Sequence, residues 1–314
     1  MHYKVYGSVL ESGIPLPELC PTEQTTPEFT FQLSLPRQQE SVSMRWFHEW
    51  RFSQEKVWLY FGKQENSYLL RFPDLADFHV SGTGKSVQCY PVAGVPFETL
   101  RHLFLDQVFP LALSRRGKLV LHASSVMTET GAISFVGETG AGKSTLAASF
   151  AKEGFSFITD DCLLLEESQG QVMAFPGYPG LRLWHDIVSC LFDGGPENCD
   201  VAHYTDKKRI DLAGGSLHFQ NDSVPLRKIY FLNSYEPSGN DRPIKITPIS
   251  PKDSFLELVR HAYKLDIDDR EMLVTEFACL GRVVELPIFD RLSYPHDLSY
   301  FPAVRKAILE NLSV

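Results

Sequence analysis

The sequence predicts two kinds of structure in succession: a mainly-β N-terminal domain over residues 1–95, then an α/β core over residues 96–314. Three observations predict it. Aromatic and branched residues crowd into short runs separated by turn formers before residue 95. Apolar spacing turns helical just after Pro96. Beyond that point strand-like and helix-like runs alternate, as they do in a sheet with helices packed on it. At 314 residues the chain is long enough for one large domain or two moderate ones. With 43% hydrophobic and 22% charged residues it can bury a core, which excludes wholesale disorder.

Taken in order, Tyr3–Tyr6, Phe29–Leu33, Val57–Phe61, Tyr68–Phe72 and Val87–Tyr90 read as strands of an antiparallel unit. Gly13, Pro15, Pro17 and the 62–67 stretch supply the breaks. Gly82-Thr-Gly-Lys-Ser86 looks like half of a phosphate-binding loop. However, His79 stands where the first glycine belongs and a β-like run comes next, so it reads as a hairpin turn. Nothing in residues 1–95 looks catalytic, and a scaffold or recognition role is expected there.

From Phe97 to about Arg115 the apolar residues Leu100, Leu103, Phe104 and Val108 fall at helical spacing, with Gly117 as the stop. Lys118–Val126 reads as one strand and Ala132–Val136 as a second. A helix runs from about Gly142 to Lys152 and ends at Gly154, and then come short strands at Phe155–Ile158 and Leu163–Glu166. The polar stretch Gly194–Asp206 reads as a mobile loop. Asp266–Glu271 reads as an acidic, helical and solvent-exposed segment.

Gly137-Glu-Thr-Gly-Ala-Gly-Lys-Ser144 fits the pattern G-x-x-x-x-G-K-[ST] in full, between an apolar strand and a helix. Gly137, Gly140 and Gly142 let the backbone of Glu138, Thr139, Ala141 and Thr145 turn its N–H groups toward phosphate oxygens. The helix N-terminus adds roughly half a positive charge. Lys143 suits the terminal phosphates of a nucleoside triphosphate, and the Ser144 hydroxyl suits Mg²⁺.

Asp160-Asp161 falls at the end of the strand after the loop's helix. Adjacent carboxylates there point to different sides, so one can face a metal and the other an incoming hydroxyl, and each raises the proton affinity of its neighbour. His122 precedes the loop on a strand. Arg182 and the run Lys207–Arg209 are the remaining basic groups near the core, suited to a transferring phosphoryl group or to an anionic acceptor. Tyr178 can line the core or pack on an acceptor.

Leu121-His-Ala-Ser-Ser-Val126, Gly137–Thr145 and Ile158-Thr-Asp-Asp161 together resemble the catalytic core of the HPr kinase/phosphorylase family. More closely, the chain is similar to the HPr-kinase-like proteins of peptide-modification clusters, lasso-peptide kinases among them. Phe175–Trp184, Lys207–Leu212, Leu286–Pro295 and the opening Tyr6-Gly…Ile14-Pro-Leu-Pro-Glu18 extend the likeness over most of the chain. The resemblance implies an α/β P-loop kinase core related to phosphoenolpyruvate carboxykinases and ATP-dependent transfer of a phosphoryl group to a hydroxyl. By resemblance Asp160 matches the general base, Asp161 lies beside the metal with Ser144, and His122 matches an active-site histidine. Lys143 and Arg182 complete the expected catalytic set, with ATP and Mg²⁺ as cofactors. The Leu-Glu-Ile-Arg-Gly-Leu-Gly signature of true HPr kinases is absent. The resemblance therefore does not carry HPr as acceptor, or phosphorolysis. The N-terminal β domain also differs, so no hexamer is implied, and a homo-oligomer stays open.

The expected partners are a nucleoside triphosphate and a peptide or small hydroxyl-bearing substrate. A nucleotide-sensing module without transfer chemistry is the alternative. A transport-type ATPase is set aside because Leu-Ser-Gly-Gly-Gln and an apolar strand ending in Asp-Glu are missing. The balance of 30 basic against 39 acidic residues, a net charge of −9, argues against broad nucleic-acid binding. No spanning run and no secretory start are evident, so a cytoplasmic protein with its six cysteines reduced is expected.

Overall fold

The computed structural model describes residues 1–41, 44–168, 170–192, 198–211, 217–235, 244–295 and 297–313. It is a mixed α/β protein with a mainly-β N-terminal sheet and divides into two compact units. One comprises Met1–Lys118 with Asp200–Asp206 and Tyr263–Val274; the other comprises Leu119–Cys199, Lys207–Ala262 and Thr275–Val314. The boundary expected near residue 96 falls inside the first of these.

The first unit is built on β1 (His2–Val5), β2 (Ser8–Ser12), β3 (Cys20–Pro21), β4 (Phe29–Leu33), β5 (Trp46–Arg51), β6 (Val57–Gln64), β7 (Ser67–Phe72), β8 (Ala76–Ser81) and β9 (Ser86–Pro91). They form one nine-stranded sheet in the order β3-β1-β2-β4-β9-β8-β7-β6-β5. It is not purely antiparallel as expected: β4 runs parallel to both β2 and β9. The chain from 13 to 28 returns to the start of the sheet before β4 begins. The β5–β8 excursion then brings β9 back beside β4 in the same sense. The Gly82–Lys85 segment is a hairpin turn between β8 and β9, as expected, closed by Gly84 N–H on the Ser81 carbonyl at 2.8 Å.

Helices α1 (Phe97–Leu103) and α2 (Phe109–Arg115) are joined by a π turn over Phe104–Val108. Pro110 explains the turn. It has no N–H to give the Asp106 carbonyl, so the ladder widens and Phe109 N–H reaches back to Phe104 O. Tyr263 Oη donates to that Asp106 carbonyl at 3.4 Å. Phe104 stacks on Phe31 with ring centroids 3.8 Å apart, seating the helical segment on the sheet.

Two expectations are met only in part in this unit. Within Asp266–Glu271, Ile267, Asp268, Arg270 and Glu271 are exposed as expected. Asp266 is buried, not solvated: its carboxylate accepts from Lys63 Nζ at 2.5 Å and Tyr68 Oη at 2.8 Å. Within the expected loop at 194–206, Val201 and Ala202 are buried, whereas residues 194–197, like Leu212, lie outside the described residues.

The second unit opens with β10 (Leu119–Leu121), β11 (Ala123–Thr128), β12 (Gly131–Val136), α3 (Lys143–Lys152), β13 (Phe157–Thr159), β14 (Leu163–Ser168) and β15 (Gln171–Phe175). Then come β16 (Gly180–Trp184), α4 (His185–Leu191), β17 (Asn198–Asp200), β18 (Lys207–Asp211), β19 (Val224–Tyr235) and β20 (Lys245–Pro248). The chain finishes with α5 (Pro251–His261), α6 (Arg270–Val283), β21 (Phe289–Pro295) and α7 (Phe301–Leu312). The main sheet runs β10-β14-β15-β19-β12-β11-β13, with β21 beside β19 and β20 beside β21. One apolar cluster joins α3 and α7 to β11, β12, β16 and β18; a second lies among β10, β14, β15, β19, α5 and α6.

The single strand expected over Lys118–Val126 is two. The break is at His122, whose backbone N–H leaves the ladder to donate to His261 O at 2.8 Å. Before the break β10 pairs with β14; after it β11 pairs with β12 and β13. Among the described residues no helix is long and apolar enough to cross a membrane, and none of Cys20, Cys89, Cys162, Cys190 and Cys279 is in a disulfide.

Candidate functional site

Strand β12 is buried along its whole length and runs parallel to β19, so it delivers residue 137 to the sheet's edge in a fixed direction. The chain then turns through Gly140 at φ +86° and Gly142 at φ +91°, conformations that cost a residue with a Cβ about 1–2 kcal/mol. Gly142 caps α3, and its carbonyl takes the first helical bond from Leu146 N–H at 2.8 Å. Glu138, Thr139 and Gly140 are exposed, whereas Ser144 and Thr145 are half-buried. Lys143 lies folded under the loop, only 5% exposed, with Nζ donating to Gly137 O at 2.8 Å and Glu138 O at 3.1 Å. Burial lowers its pKa despite the pull of Asp161 and Asp160. Tyr294 Oη supports the loop from β21 by donating to Ala141 O at 3.3 Å.

The acid pair comes directly after β13. Asp160 is 3% exposed, and its Oδ1 accepts from Ser124 Oγ at 2.6 Å, Ser144 Oγ at 2.7 Å and Asp161 N–H at 3.1 Å. Its Oδ2 accepts from the Arg182 backbone N–H at 3.1 Å. Burial, and then the neighbouring Asp161 carboxylate, push the Asp160 pKa up.

Asp161 turns the other way. It sits at φ +61°, a left-handed conformation that aspartate tolerates better than most residues, and its Oδ2 takes Arg182 NH2 at 2.8 Å. Burial works to raise its pKa, but the Arg182 guanidinium, with Lys207 and Lys143 beyond it, holds it well below the carboxylate range. Arg182 is 2% exposed and bonds also to Asp160 O at 3.3 Å. Ser144 bonds to Asp160, and Asp161 bonds to Arg182.

His122 joins the pair through Asp161 O, 3.0 Å from Nδ1. A carbonyl can only accept, so Nδ1 carries the proton and Nε2 is left as an acceptor. Burial lowers the pKa of this ring to about 4, against the pull of Asp161, which keeps it neutral near pH 7.

The structure thus brings His122, Lys143, Ser144, Asp160, Asp161 and Arg182 together. Lys207 is within electrostatic reach of both acids and sits 5.5 Å above the Trp184 ring. Tyr178 lines the core at 5% exposure, its ring so close to residue 180 that a Cβ there would lie 2.9 Å from it.

Sequence reasoning missed Ser124, which lies inside the Leu121–Val126 run and whose hydroxyl reaches Asp160. It also missed His261 and Tyr294, which approach the loop from distant elements and leave no local trace. Beside the loop lies a cavity of about 210 Å³, lined by Glu138, Asn233, Glu257, Arg260, His261 and Arg291 among others. Among the described residues no group of three His, Cys, Asp or Glu side chains could hold a metal ion alone.

No family model matches the sequence, and no curated protein matches it. Among solved structures the chain is similar to the HPr(Ser) kinase/phosphatase from Coxiella burnetii. The match is structural. It covers 61% of this chain and 97% of that one, at 14% sequence identity and a TM-score of 0.32.

Proposed function

We propose that this chain is a Mg²⁺- and ATP-dependent phosphotransferase that moves the γ-phosphoryl group to a hydroxyl of a peptide or small-molecule acceptor. One hydrogen bond carries this reading: Ser144 Oγ to Asp160 Oδ1 at 2.7 Å, which ties the end of a complete glycine loop to a buried acid on the next strand. On this reading the amides of residues 138–145 take phosphate oxygens. Lys143 gives up its two loop carbonyls for the terminal phosphates. Arg182 lies against the acid pair, where charge spreads during transfer.

The hydroxyl and carboxylate oxygens of Ser144 and the acid pair are the hard donors that Mg²⁺ prefers, so the residues fit that ion. Bound there, it would neutralise charge on the phosphates. Asp160 takes the acceptor's proton; its raised pKa suits a base. His122, neutral with Nε2 as an acceptor, supports the same step.

The Ser144 contact also favours a second assignment of the two acids. Asp160 then shares the metal with Ser144, and Asp161, the more open carboxylate at 17% exposure, receives the hydroxyl. Asp160→Asn separates the two. As base, its loss lowers kcat by roughly 10²–10⁴ at every Mg²⁺ concentration. As metal partner, its loss is largely recovered at high Mg²⁺. Transfer at near wild-type rate without added Mg²⁺ would exclude both assignments. Incubation with γ-labelled ATP tests the activity itself. Label in a hydroxyl acceptor supports the transferase, whereas tight ATP binding with no label leaves only a nucleotide-sensing module.

A further inference from the structure

The last turn of α5 carries Glu257, Arg260 and His261 at i, i+3 and i+4, on one side of the helix. Phe231 and Phe289 belong to the apolar cluster under α5, and Phe231 pairs with Arg291. Side chains alternate along a strand, so Asn233 and Arg291 turn to the α5 side as well. The cavity of about 210 Å³ lies between these two walls. It is also lined by Gly137 and Glu138, the first two residues of the glycine loop.

One buried group in this cavity lacks a hydrogen bond. The His261 side chain is 7% exposed, and its nearest described partner, Glu257 Oε2, is 3.7 Å from Nε2, beyond bonding range. Neither ring nitrogen is sealed in the interior, so the ring opens on the cavity it lines. Burial lowers its pKa although Glu138 pulls the other way, so near pH 7 the ring is neutral, with one donor and one acceptor. Glu257 is shared by Arg260 at 3.2 Å and Arg291 at 3.5 Å. With Glu138 counted, two guanidinium groups face two carboxylates, and no surplus charge is left to draw an anion. The cavity instead offers mixed donors and acceptors, the imidazole and the Asn233 amide among them, beside Phe231 and Leu232. That lining suits an uncharged, hydrogen-bonding ring system. The space is smaller than the ~300–1,000 Å³ of pockets that take a whole ligand, so it fits one end of a larger molecule.

The position of the cavity says which end. Strands β12, β13, β19 and β21 run in the same direction and finish at one edge of the sheet. The acid pair follows β13, two strands to one side of β12. Arg291 lies two strands to the other side, in register with Val136 through Phe231. Each separation is about 10 Å, and the glycine loop stands between them. A molecule with its phosphates on the loop and its last phosphoryl group at the acid pair has its other end at the cavity. We propose that the cavity holds the ribose and base of the nucleoside triphosphate, with the His261 ring as a direct hydrogen-bonding partner. This rests on the nucleotide reading of the loop, and the test separates the two.

The probes are ATP and inorganic tripolyphosphate, each with Mg²⁺, titrated into the full chain in a calorimeter. Tripolyphosphate carries the phosphates without the nucleoside. ATP is expected to bind about tenfold tighter or more. His261→Ala should remove most of that margin and leave tripolyphosphate affinity within about twofold. The variant keeps the backbone carbonyl that the His122 N–H uses, and its binding of tripolyphosphate reports a folded loop. Asn233→Ala, at an exposed position, should lower ATP affinity in the same selective way. Equal binding of ATP and tripolyphosphate by the unaltered chain overturns the proposal and leaves the phosphate loop standing. A margin for ATP that survives both substitutions overturns it too, as does an equal weakening of both compounds by both. Failure of the unaltered chain to bind either compound removes the nucleotide reading, and this inference with it.

Discussion

Two segments of this chain carry glycine, lysine and serine in the same order and fold into different objects. Gly82-Thr-Gly-Lys-Ser86 turns between two strands, with Lys85 exposed and the Ser86 N–H on Ser81 Oγ at 3.1 Å. Gly140-Ala-Gly-Lys-Ser144 opens a helix, with Lys143 buried and Ser144 on an acid. The shared local residues do not decide between them; the next half-dozen positions of the chain do. Val87-Gln-Cys-Tyr90 alternates buried with exposed or half-buried positions, the two-residue period of a sheet. Leu146–Ala151 is buried at every position, in a helix that packs against the sheet. A lysine after glycine becomes a candidate phosphate ligand only where the backbone beyond it is helical and aims its free N–H groups back at the same point.

The sharpest test of that contrast is to remove each lysine. Lys143→Ala is expected to cost about 10²–10³ in kcat/KM for transfer from ATP. Lys85→Ala should leave the rate within about twofold, since its exposed side chain touches nothing the chemistry uses. Equal losses would erase the distinction between turn and loop.

The two regions also each hold a histidine whose pKa is lowered by burial, His122 and His79. His122 titrates near 4 in the folded chain and near 6.5 when unfolded. Between those values the unfolded chain binds more protons, so stability is full above about pH 6.5 and falls as the pH drops toward 4. At the limit this one group removes about 3 kcal/mol. Denaturant titrations of His122→Asn should show that part of the acid dependence gone. His79→Gln should flatten the curve less, because its half-buried ring loses less hydration than that of His122; it meets Arg37 at 3.1 Å and packs edge-on against Tyr90. An unchanged slope in His122→Asn would mean that the ring is charged in the fold.

The smallest expected effects fall on the glycines, and they should separate stability from function. A Cβ at Gly84 would lie 2.5 Å from Ala112 O in a left-handed conformation, so Gly84→Ala should destabilise by more than about 2 kcal/mol and leave transfer intact. A Cβ at Gly140 would meet nothing within 4 Å, so Gly140→Ala should cost only the conformational term of about 1–2 kcal/mol while weakening ATP binding. Melting curves and ATP titrations on the two variants check this.

What was legible in the chain was what is local. The glycine loop, its strand and its helix occupy one contiguous stretch, and the acid pair comes soon after within it. The turn at Gly82 was legible for the same reason. The rest is settled across long separations. The strand over Lys118–Val126 breaks because His122 N–H finds a carbonyl at residue 261. Asp266 is buried by Lys63 and Tyr68, far earlier in the chain, and nothing near 266 announces it. The parallel partners of β4 depend on where two long connections return. Within the site, a run of adjacent acids told that one would face each way, but not which: the left-handed turn at Asp161 decides that, and no residue type specifies it.

The polypeptide passes between its two compact units five times, at 118/119, 199/200, 206/207, 262/263 and 274/275. No single cut releases either body whole. A gene fragment starting at Leu119 would still encode 200–206 and 263–274, stripped of the sheet they fold onto, with Val201, Ala202 and Tyr263 newly wetted. Evolution cannot shuffle such a pair of bodies as separate modules by one recombination event, so the two must be inherited, and altered, together.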